Sequence, residues 1–147
     1  MRHKRSGSNF GRTANQRKAL LRGLVSALIL QERIETTLAK AKETRVIAER
    51  FVTMGIKGDL NSRRLALAGL PSKPAVAKLF NEIAPRFQGR NGGYLRIVQT
   101  RNRMGDSAPM AVIEFVDYES RRQEAGKQAK EKKEKKPSGE QQKKEEK

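Results

Sequence analysis

Basic side chains are the residues of this sequence with the most distinctive chemistry. Lys and Arg number 33 against 16 Asp and Glu, so the formal net charge is +17 at pH 7. Guanidinium and ammonium groups bind phosphate, and a chain of this charge is attracted to a polyanion. The candidate contacts with a nucleic acid are Arg2, His3, Lys4, Arg5, Phe10, Arg12, Arg17, Lys18, Arg22, Arg63, Arg64, Arg90, Arg96, Arg101 and Arg103.

The chain begins with a basic arm, residues 1–13, in which every charged side chain is positive. Its Gly and Ser residues favour no single backbone conformation, so we expect the arm to be flexible and to order only on a partner. His3 is interpreted as one more polar contact in this arm. Phe10 is the better candidate for stacking on a base, because Tyr94 is expected to lie in the core or on the sheet.

Two further groups of guanidinium side chains stand out by position. Arg63 and Arg64 are adjacent on a predicted short helix and suit bidentate phosphate contacts. Arg96 lies in a predicted strand, with Arg101 and Arg103 in the loop beyond it, so these three are expected to form a positive ribbon at one end of a sheet. Any one of them is explained equally well as solvated surface, whereas the whole set favours phosphate contacts.

A glycine-rich segment, residues 89–93, has the sequence Gly-Arg-Asn-Gly-Gly. A P-loop needs a lysine followed by Ser or Thr, and this segment instead precedes a predicted strand. It is predicted to be a flexible turn, and an RNA-backbone contact through Arg90 is the alternative. Because aromatic side chains are scarce, recognition of RNA shape and backbone is favoured over reading of its base sequence.

The residue types that catalysis and metal binding need are sparse. The only histidine is His3, cysteine is absent, and the acidic residues are dispersed along the chain. A catalytic site usually needs a nucleophile with a positioned base, paired carboxylates or a metal cluster. We therefore expect that the protein is not an enzyme, and we predict no catalytic residue, no cofactor and no metal ligand.

Hydropathy separates the two polyanions that could attract this charge, a nucleic acid and a membrane surface. The longest apolar stretch, residues 23–30, is too short to cross a bilayer, which takes about 20 apolar residues. The chain has no Trp for an interfacial helix, and its first residues lack the apolar segment of a secretory signal. A nucleic acid and a cytoplasmic location are therefore expected.

Helical periodicity and local caps predict most of the elements that position these side chains. A helix is expected from about residue 14, with a row of Leu20, Leu24 and Leu28 beside a row of Leu21, Val25 and Ile29 on one inward face. A short strand should follow at residues 34–38, and Thr37 is a candidate cap for a helix that ends near Met54, where Gly55 and Gly58 supply the stop.

The second half of the chain combines short helices with two strands. Asp59 is expected to cap a short helix that ends at residues 69–71, and Ser72 with Pro74 should begin another that Pro85 stops. The alternating segments 94–100 and 110–117 predict an antiparallel hairpin with a long loop.

From residue 119 to 147 there is no Val, Ile, Leu, Phe, Met or Trp. This tail is expected to be disordered and rich in Lys and Glu.

Several separated blocks of sequence resemble one known family. They are residues 1–7 (MRHKRSG), 34–43 (IETTLAKAKE), 61–66 (NSRRLA), 78–87 (KLFNEIAPRF), 92–97 (GGYLRI) and 105–117 (GDSAPMAVIEFVD). In this order they resemble the bacterial large-subunit ribosomal protein family numbered seventeen, over residues 1 to about 118. Blocks that recur in order are more specific than a single short motif. The tail is the departure, because tail lengths vary in this family.

The resemblance implies a fold and a function. The fold class is α+β: a single compact domain of about four helices on a small mixed sheet, at residues 14–118, between the basic arm (1–13) and the tail (119–147). The function is that of a structural constituent of the ribosome, which binds and stabilises large-subunit ribosomal RNA near the peptide exit side and supports translation. Neighbouring ribosomal proteins are expected in contact, with no membrane and no small-molecule substrate.

Two other function classes remain open from the residues alone. A nucleoid-type DNA-binding protein should show groove-reading helices or dimer symmetry, and neither is apparent. A nuclease or an RNA-modifying enzyme should show clustered carboxylates or a cofactor loop. Sedimentation of a cell lysate separates the three classes, because a ribosomal protein migrates with large subunits, a nucleoid protein follows DNA, and an enzyme is mostly free.

Overall fold

The computed structural model describes residues 7–118, so the tail (119–147) and the first six residues of the arm lie outside the described range. The chain divides after Val116 into two units, and the first of them carries the fold. Its elements are α1 (Ala14–Gln31), β1 (Arg33–Thr37), α2 (Leu38–Lys57), α3 (Leu60–Gly69), α4 (Lys73–Lys78), a π-helical segment (Leu79–Ile83), α5 (Ala84–Arg86), β2 (Leu95–Asn102) and β3 (Pro109–Phe115).

The three strands form one sheet with β3 at its centre, in the order β1-β3-β2. Both neighbours pair antiparallel with β3, so the α+β class and the hairpin are confirmed, whereas the expectation of a mixed sheet is wrong. Alternation along a strand reveals which residues share a face but not which way the strand runs. The direction of β1 was therefore outside the reach of the sequence pattern.

One face of the sheet packs on the helices and forms the core. Ala111, Ile113 and Phe115 of β3 belong to this cluster, together with Val25, Leu28 and Ile29 of α1. The row of α1 that is buried comprises Leu21, Val25, Leu28 and Ile29, whereas Leu20 and Leu24 are only half-buried. The predicted row of Leu21, Val25 and Ile29 is therefore buried along its whole length, whereas only Leu28 of the other predicted row is buried.

Of the three predicted helix caps, two form a capping hydrogen bond and one does not. The Asp59 side chain accepts a 3.3 Å hydrogen bond from the Ser62 N–H, and Ser72 accepts one of 3.4 Å from the Ala75 N–H, so both predicted caps are confirmed. Hydrogen bonding to Ser62 also lowers the pKa of Asp59. Thr37 occupies the cap position of α2, but its side chain makes no capping hydrogen bond.

Helix α2 extends to Lys57, one turn beyond the predicted end at Met54. Gly58 ends it in a left-handed conformation with φ of 68°, as the sequence predicted. Gly55 is instead a buried residue within the helix. It packs so close to Ala84 that a Cβ at this position would lie 2.8 Å from the Cβ of Ala84. Gly55 therefore serves the close approach of two helical segments and not the stop.

The helical run also continues through Pro85, which was expected to stop it. The π-helical segment Leu79–Ile83 precedes this proline, and the Ala84 N–H bonds the carbonyl of Leu79, five residues back. A proline ring clashes with the preceding turn of an α-helix and offers no N–H. The wider π turn accommodates both effects, so the chain stays helical to Arg86. Within residues 7–118, no helix is long and apolar enough to cross a membrane.

Candidate nucleic-acid interface

A cavity of about 490 Å³ lies where the arm meets α1 and α2. The arm turns back there through Phe10 and Gly11, whose φ angles are 55° and 62°. Thr13 is the N-cap of α1, and its N–H donates a 3.2 Å hydrogen bond to Oε1 of Gln16. Three of the predicted contact residues are brought together around this cavity, which is lined by Asn9, Arg12, Ala14, Arg17, Lys18, Leu21 and Ile47.

Arg17 is the positioned cation of this cavity. Its Nη2 lies 3.1 Å from Oε2 of Glu43 on α2, while Oε1 of Glu43 accepts a 3.2 Å hydrogen bond from the Ser8 N–H. One carboxylate therefore ties the arm and α1 to α2. The Nε of Arg17 is buried and has no hydrogen-bond partner among residues 7–118. A buried donor without a partner is unfavourable, so this N–H favours an incoming acceptor.

The other cavity residues divide into charged groups and an apolar wall. Lys18 is exposed, and Nη1 of Arg12 donates a 2.9 Å hydrogen bond to the carbonyl of Phe10. Leu21 is buried and Ile47 is half-buried. Cations attract phosphate, while the apolar wall can contact a ribose or a base without losing hydrogen bonds. This combination suits a nucleotide better than it suits a bare ion.

The glycine-rich loop holds Arg90 at the surface. Its Nε donates a 3.1 Å hydrogen bond to the carbonyl of Gly92, and its own carbonyl accepts one of 3.1 Å from the Tyr94 hydroxyl. Tyr94 is buried in the core and stacks edge-on against Phe87 at 5.4 Å between ring centroids. Arg90 is thus exposed in an ordered turn, and Tyr94 is core as expected.

The predicted positive ribbon of the sheet is interrupted by carboxylates. Arg96 donates a 2.6 Å hydrogen bond to Glu114, which is buried on the central strand, and Arg33 approaches the same carboxylate at 3.4 Å. The three residues stand directly opposite one another across β1, β3 and β2. Arg101 was expected in the hairpin loop, but β2 continues to Asn102, so Arg101 lies in the strand, where it is exposed.

Arg103 lies in the hairpin loop and contacts Asp106 with two nitrogens, Nε to Oδ1 at 3.0 Å and Nη2 to Oδ2 at 2.5 Å. These hydrogen bonds lower the pKa of Asp106 to about 2 and raise the pKa of Arg103. A bidentate arginine–carboxylate contact fixes the guanidinium in one orientation. The pair therefore orders the loop around residues 103–106.

Arg63 and Arg64, the two predicted contact residues on α3, have different surroundings. Arg63 lies over the ring of Phe80, with its Cζ 5.0 Å from the ring centroid, whereas Arg64 is exposed. Adjacent residues of an α-helix point about 100° apart, so the two guanidinium groups do not form one fork. Arg22 of α1 donates to the backbone carbonyls of Ala68 and Gly69, at the end of α3.

Four of the predicted residues, Arg2, His3, Lys4 and Arg5, lie outside the described range. The sequence analysis did not identify Glu43 as part of this site. Its only local signal is that it is an acidic residue among the basic residues in the first half of α2. It also missed Ile47 as part of the cavity. Among residues 7–118, no group of three or more His, Asp or Glu side chains could hold a metal ion.

Comparison with known proteins identifies relatives that match most of this chain. A family model described as ribosomal protein L17 matches residues 20–116. A protein of Thermodesulfovibrio yellowstonii named large ribosomal subunit protein bL17 is 62% identical over 130 residues, which cover 88% of this chain and 98% of that protein. Its namesake from Hydrogenobaculum is 56% identical over 118 residues, 80% of this chain and 100% of the relative. By these matches, the chain belongs to the ribosomal protein L17 family.

Proposed function

We propose that this chain is a structural constituent of the large ribosomal subunit, where it binds and stabilises ribosomal RNA and so supports translation. The observation that carries the proposal is the similarity to large-subunit proteins along nearly the whole chain. Members of this family are structural components and not enzymes. As a ribosomal protein, the chain acts in the cytoplasm, with ribosomal RNA and neighbouring ribosomal proteins as its partners and no cofactor.

The cavity between the arm, α1 and α2 is the proposed centre of the RNA contact. Arg12 and Lys18 bind phosphate at its rim, and the buried Nε of Arg17 donates to an oxygen of the same nucleotide. Leu21 and Ile47 cover the ribose or the base edge. Each phosphate that is neutralised releases counterions, which favours binding at low salt. Arg2, His3, Lys4, Arg5 and Phe10 extend this contact along the arm.

The remaining predicted residues differ in the partners they already have. Arg101 is exposed, and Arg90 is exposed with its Nε bonded only within its own turn, to the Gly92 carbonyl; both are proposed as further phosphate contacts. Arg22, Arg96 and Arg103 are each held by a backbone carbonyl or a carboxylate, which favours a supporting role beside the RNA. Arg63 is stacked on Phe80, and its exposed edge remains a candidate for phosphate. The division into residues 1–13, 14–118 and 119–147 stays a prediction.

Salt-dependent binding tests the cavity as the RNA contact. A variant with Arg12→Gln, Arg17→Gln and Lys18→Gln is expected to bind large-subunit ribosomal RNA more weakly than the unmodified chain. The slope of log affinity against log salt should flatten by ~2, because each lost contact contributes ~0.7 for single strands. Binding is measured with large-subunit RNA fragments at several salt concentrations.

A charge-matched variant serves as the control. Arg50→Gln, Lys57→Gln and Lys73→Gln remove the same charge from exposed positions outside the cavity. This variant should keep most of the original slope. Equal flattening in both variants would mean that net charge alone drives binding, and an unchanged slope in the cavity variant would exclude the cavity as the contact. Unfolding curves establish that both variants remain folded.

A further inference from the structure

Helix α3 exposes its large apolar side chains and buries its small ones. The exposed fractions are 66% for Leu60, 52% for Leu65 and 45% for Leu67, whereas only Ser62 and Ala66 are buried. An amphipathic surface helix normally packs its apolar stripe on the core. Three exposed leucines in a ten-residue helix therefore need an explanation that core packing does not provide.

The packing of α3 prevents the helix from turning its leucines inward. Gly69 lies so close to Phe51 that a Cβ there would be 2.5 Å from Cζ of the ring. Arg22 binds the carbonyls at the end of the helix, and the Asp59 side chain caps its start. Small residues are thus required on the inner side, and the contacts of Gly69 with Phe51 and of Arg22 with the last carbonyls hold the C-terminal end of α3 against α2 and α1.

The outward side of α3 combines apolar groups with a positive charge. Leu60, Arg64 and Leu67 are spaced by four and three residues, so they form one row along the helix. We call this row the α3 outer face. Helix α3 contains no acidic residue, and Arg64 lies between the two leucines of the row. A complementary surface would be apolar at its centre and would carry a carboxylate opposite Arg64.

Three other occupants fit this surface poorly. RNA would meet a single cation, Arg64, between the two exposed leucines of this row, whereas the cavity gathers three cations around its apolar wall, so phosphate is attracted less strongly to the α3 outer face. A second copy of this chain would bring together two molecules of net charge +17. The chain's own residues 119–147 contain no large aliphatic side chain that could cover leucine.

We propose that the α3 outer face binds a neighbouring protein of the large subunit through an apolar patch flanked by Asp or Glu. This inference rests on the proposed assembly into that subunit and names the surface that receives the partner. Leu60 and Leu67 supply the apolar contact, and Arg64 pairs with the carboxylate. Exposed apolar groups rimmed by polar ones are typical of protein interaction sites.

Competitive incorporation into ribosomes tests the surface in the full-length chain. A Leu60→Gln, Leu67→Gln variant is coexpressed with the unmodified chain, and the two are quantified in purified large subunits. The matched control is Val46→Gln, Val98→Gln, at exposed positions of 52% and 47% outside α3. The leucine variant should be depleted roughly tenfold relative to the control, because a few apolar anchors carry most of an interface's affinity.

Two further readouts distinguish a protein partner from RNA. The leucine variant should bind ribosomal RNA fragments with unchanged affinity and salt slope, and its unfolding midpoint should match that of the control. A photo-crosslinking residue at the exposed position Ala68 should react, in large subunits, with a peptide of another ribosomal protein that carries apolar residues beside Asp or Glu. A crosslink to RNA, to a second copy or to no partner would overturn the inference.

The outcomes separate this inference from the function on which it rests. If the unmodified chain does not sediment with large subunits, both fail. If it does, and the leucine variant is incorporated as well as the valine control, only the role of the α3 outer face is overturned. Arg64→Glu provides an independent check, because reversing this charge should deplete the chain more than Arg50→Glu on α2 does, while the two variants bind ribosomal RNA fragments with equal affinity.

Discussion

The guanidinium of Arg22, on α1, donates a 2.6 Å hydrogen bond to the carbonyl of Ala68 in the last turn of α3. The last carbonyls of a helix have no partner within it, and a cation at this end also complements the helix dipole. The Arg22 guanidinium, a group that commonly binds phosphate, is therefore already hydrogen-bonded within the fold. Its replacement should affect stability more than RNA affinity.

Arg22→Gln is expected to lower the free energy of unfolding by roughly 1.5 to 3 kcal/mol, the range for hydrogen bonds to charged groups. The salt slope of RNA binding should stay unchanged, because the side chain is already engaged. Urea unfolding and RNA titrations on the same preparations measure the two effects. A flatter slope with unaltered stability would instead assign Arg22 to the RNA contact.

The buried row of α1 predicts a difference between two leucines four residues apart. Leu28 is fully buried in the core, whereas Leu24 is half-buried. Leu28→Ala should cost roughly 2 to 5 kcal/mol of stability, since it leaves a cavity. Leu24→Ala should cost about half of that or less, because less apolar surface is removed from contact. Equal losses in denaturant unfolding would place both side chains in the core.

Deletion of residues 2–12 should spare the fold and weaken RNA binding. The deleted segment contains Arg2, Lys4, Arg5 and Arg12, and Phe10 is its only large apolar side chain. If about four phosphate contacts are lost, the salt slope should flatten by ~3. The comparison needs RNA titrations at several salt concentrations beside thermal unfolding of both forms. Identical slopes would mean that the arm is not on RNA.

The contact between Arg103 and Asp106 predicts a pH-dependent change in the hairpin loop. The pKa of Asp106 is lowered from 3.8 to about 2, so the pairing is fully present above pH 3.8 and is lost as the pH falls through about 2. Arg103→Gln removes the main cause and should raise this pKa toward 3.8. An NMR titration of the Asp106 carboxyl carbon measures both values. A midpoint near 3.8 in the unmodified chain would rule out the contact.

Local sequence was sufficient for the parts of this fold that depend on neighbouring residues. Asp59 and Ser72 were identifiable as helix caps, and Gly58 as a left-handed stop, because each acts within one turn of its own position. Period-two alternation likewise located the hairpin strands. Composition alone indicated attraction to a polyanion, since net charge does not depend on how the chain folds.

The tertiary structure decided which cations remain available and which faces are covered. Arg17 meets Glu43 across 26 residues, and Arg22 meets Ala68 across 46, so no local pattern announces either contact. The direction of β1 depends on the same long-range packing. The outward leucines of α3 follow from the close approach of Gly69 to Phe51, which admits only small residues on the inner side. Charge and periodicity are local properties, whereas the partner of a side chain is set by segments distant in sequence.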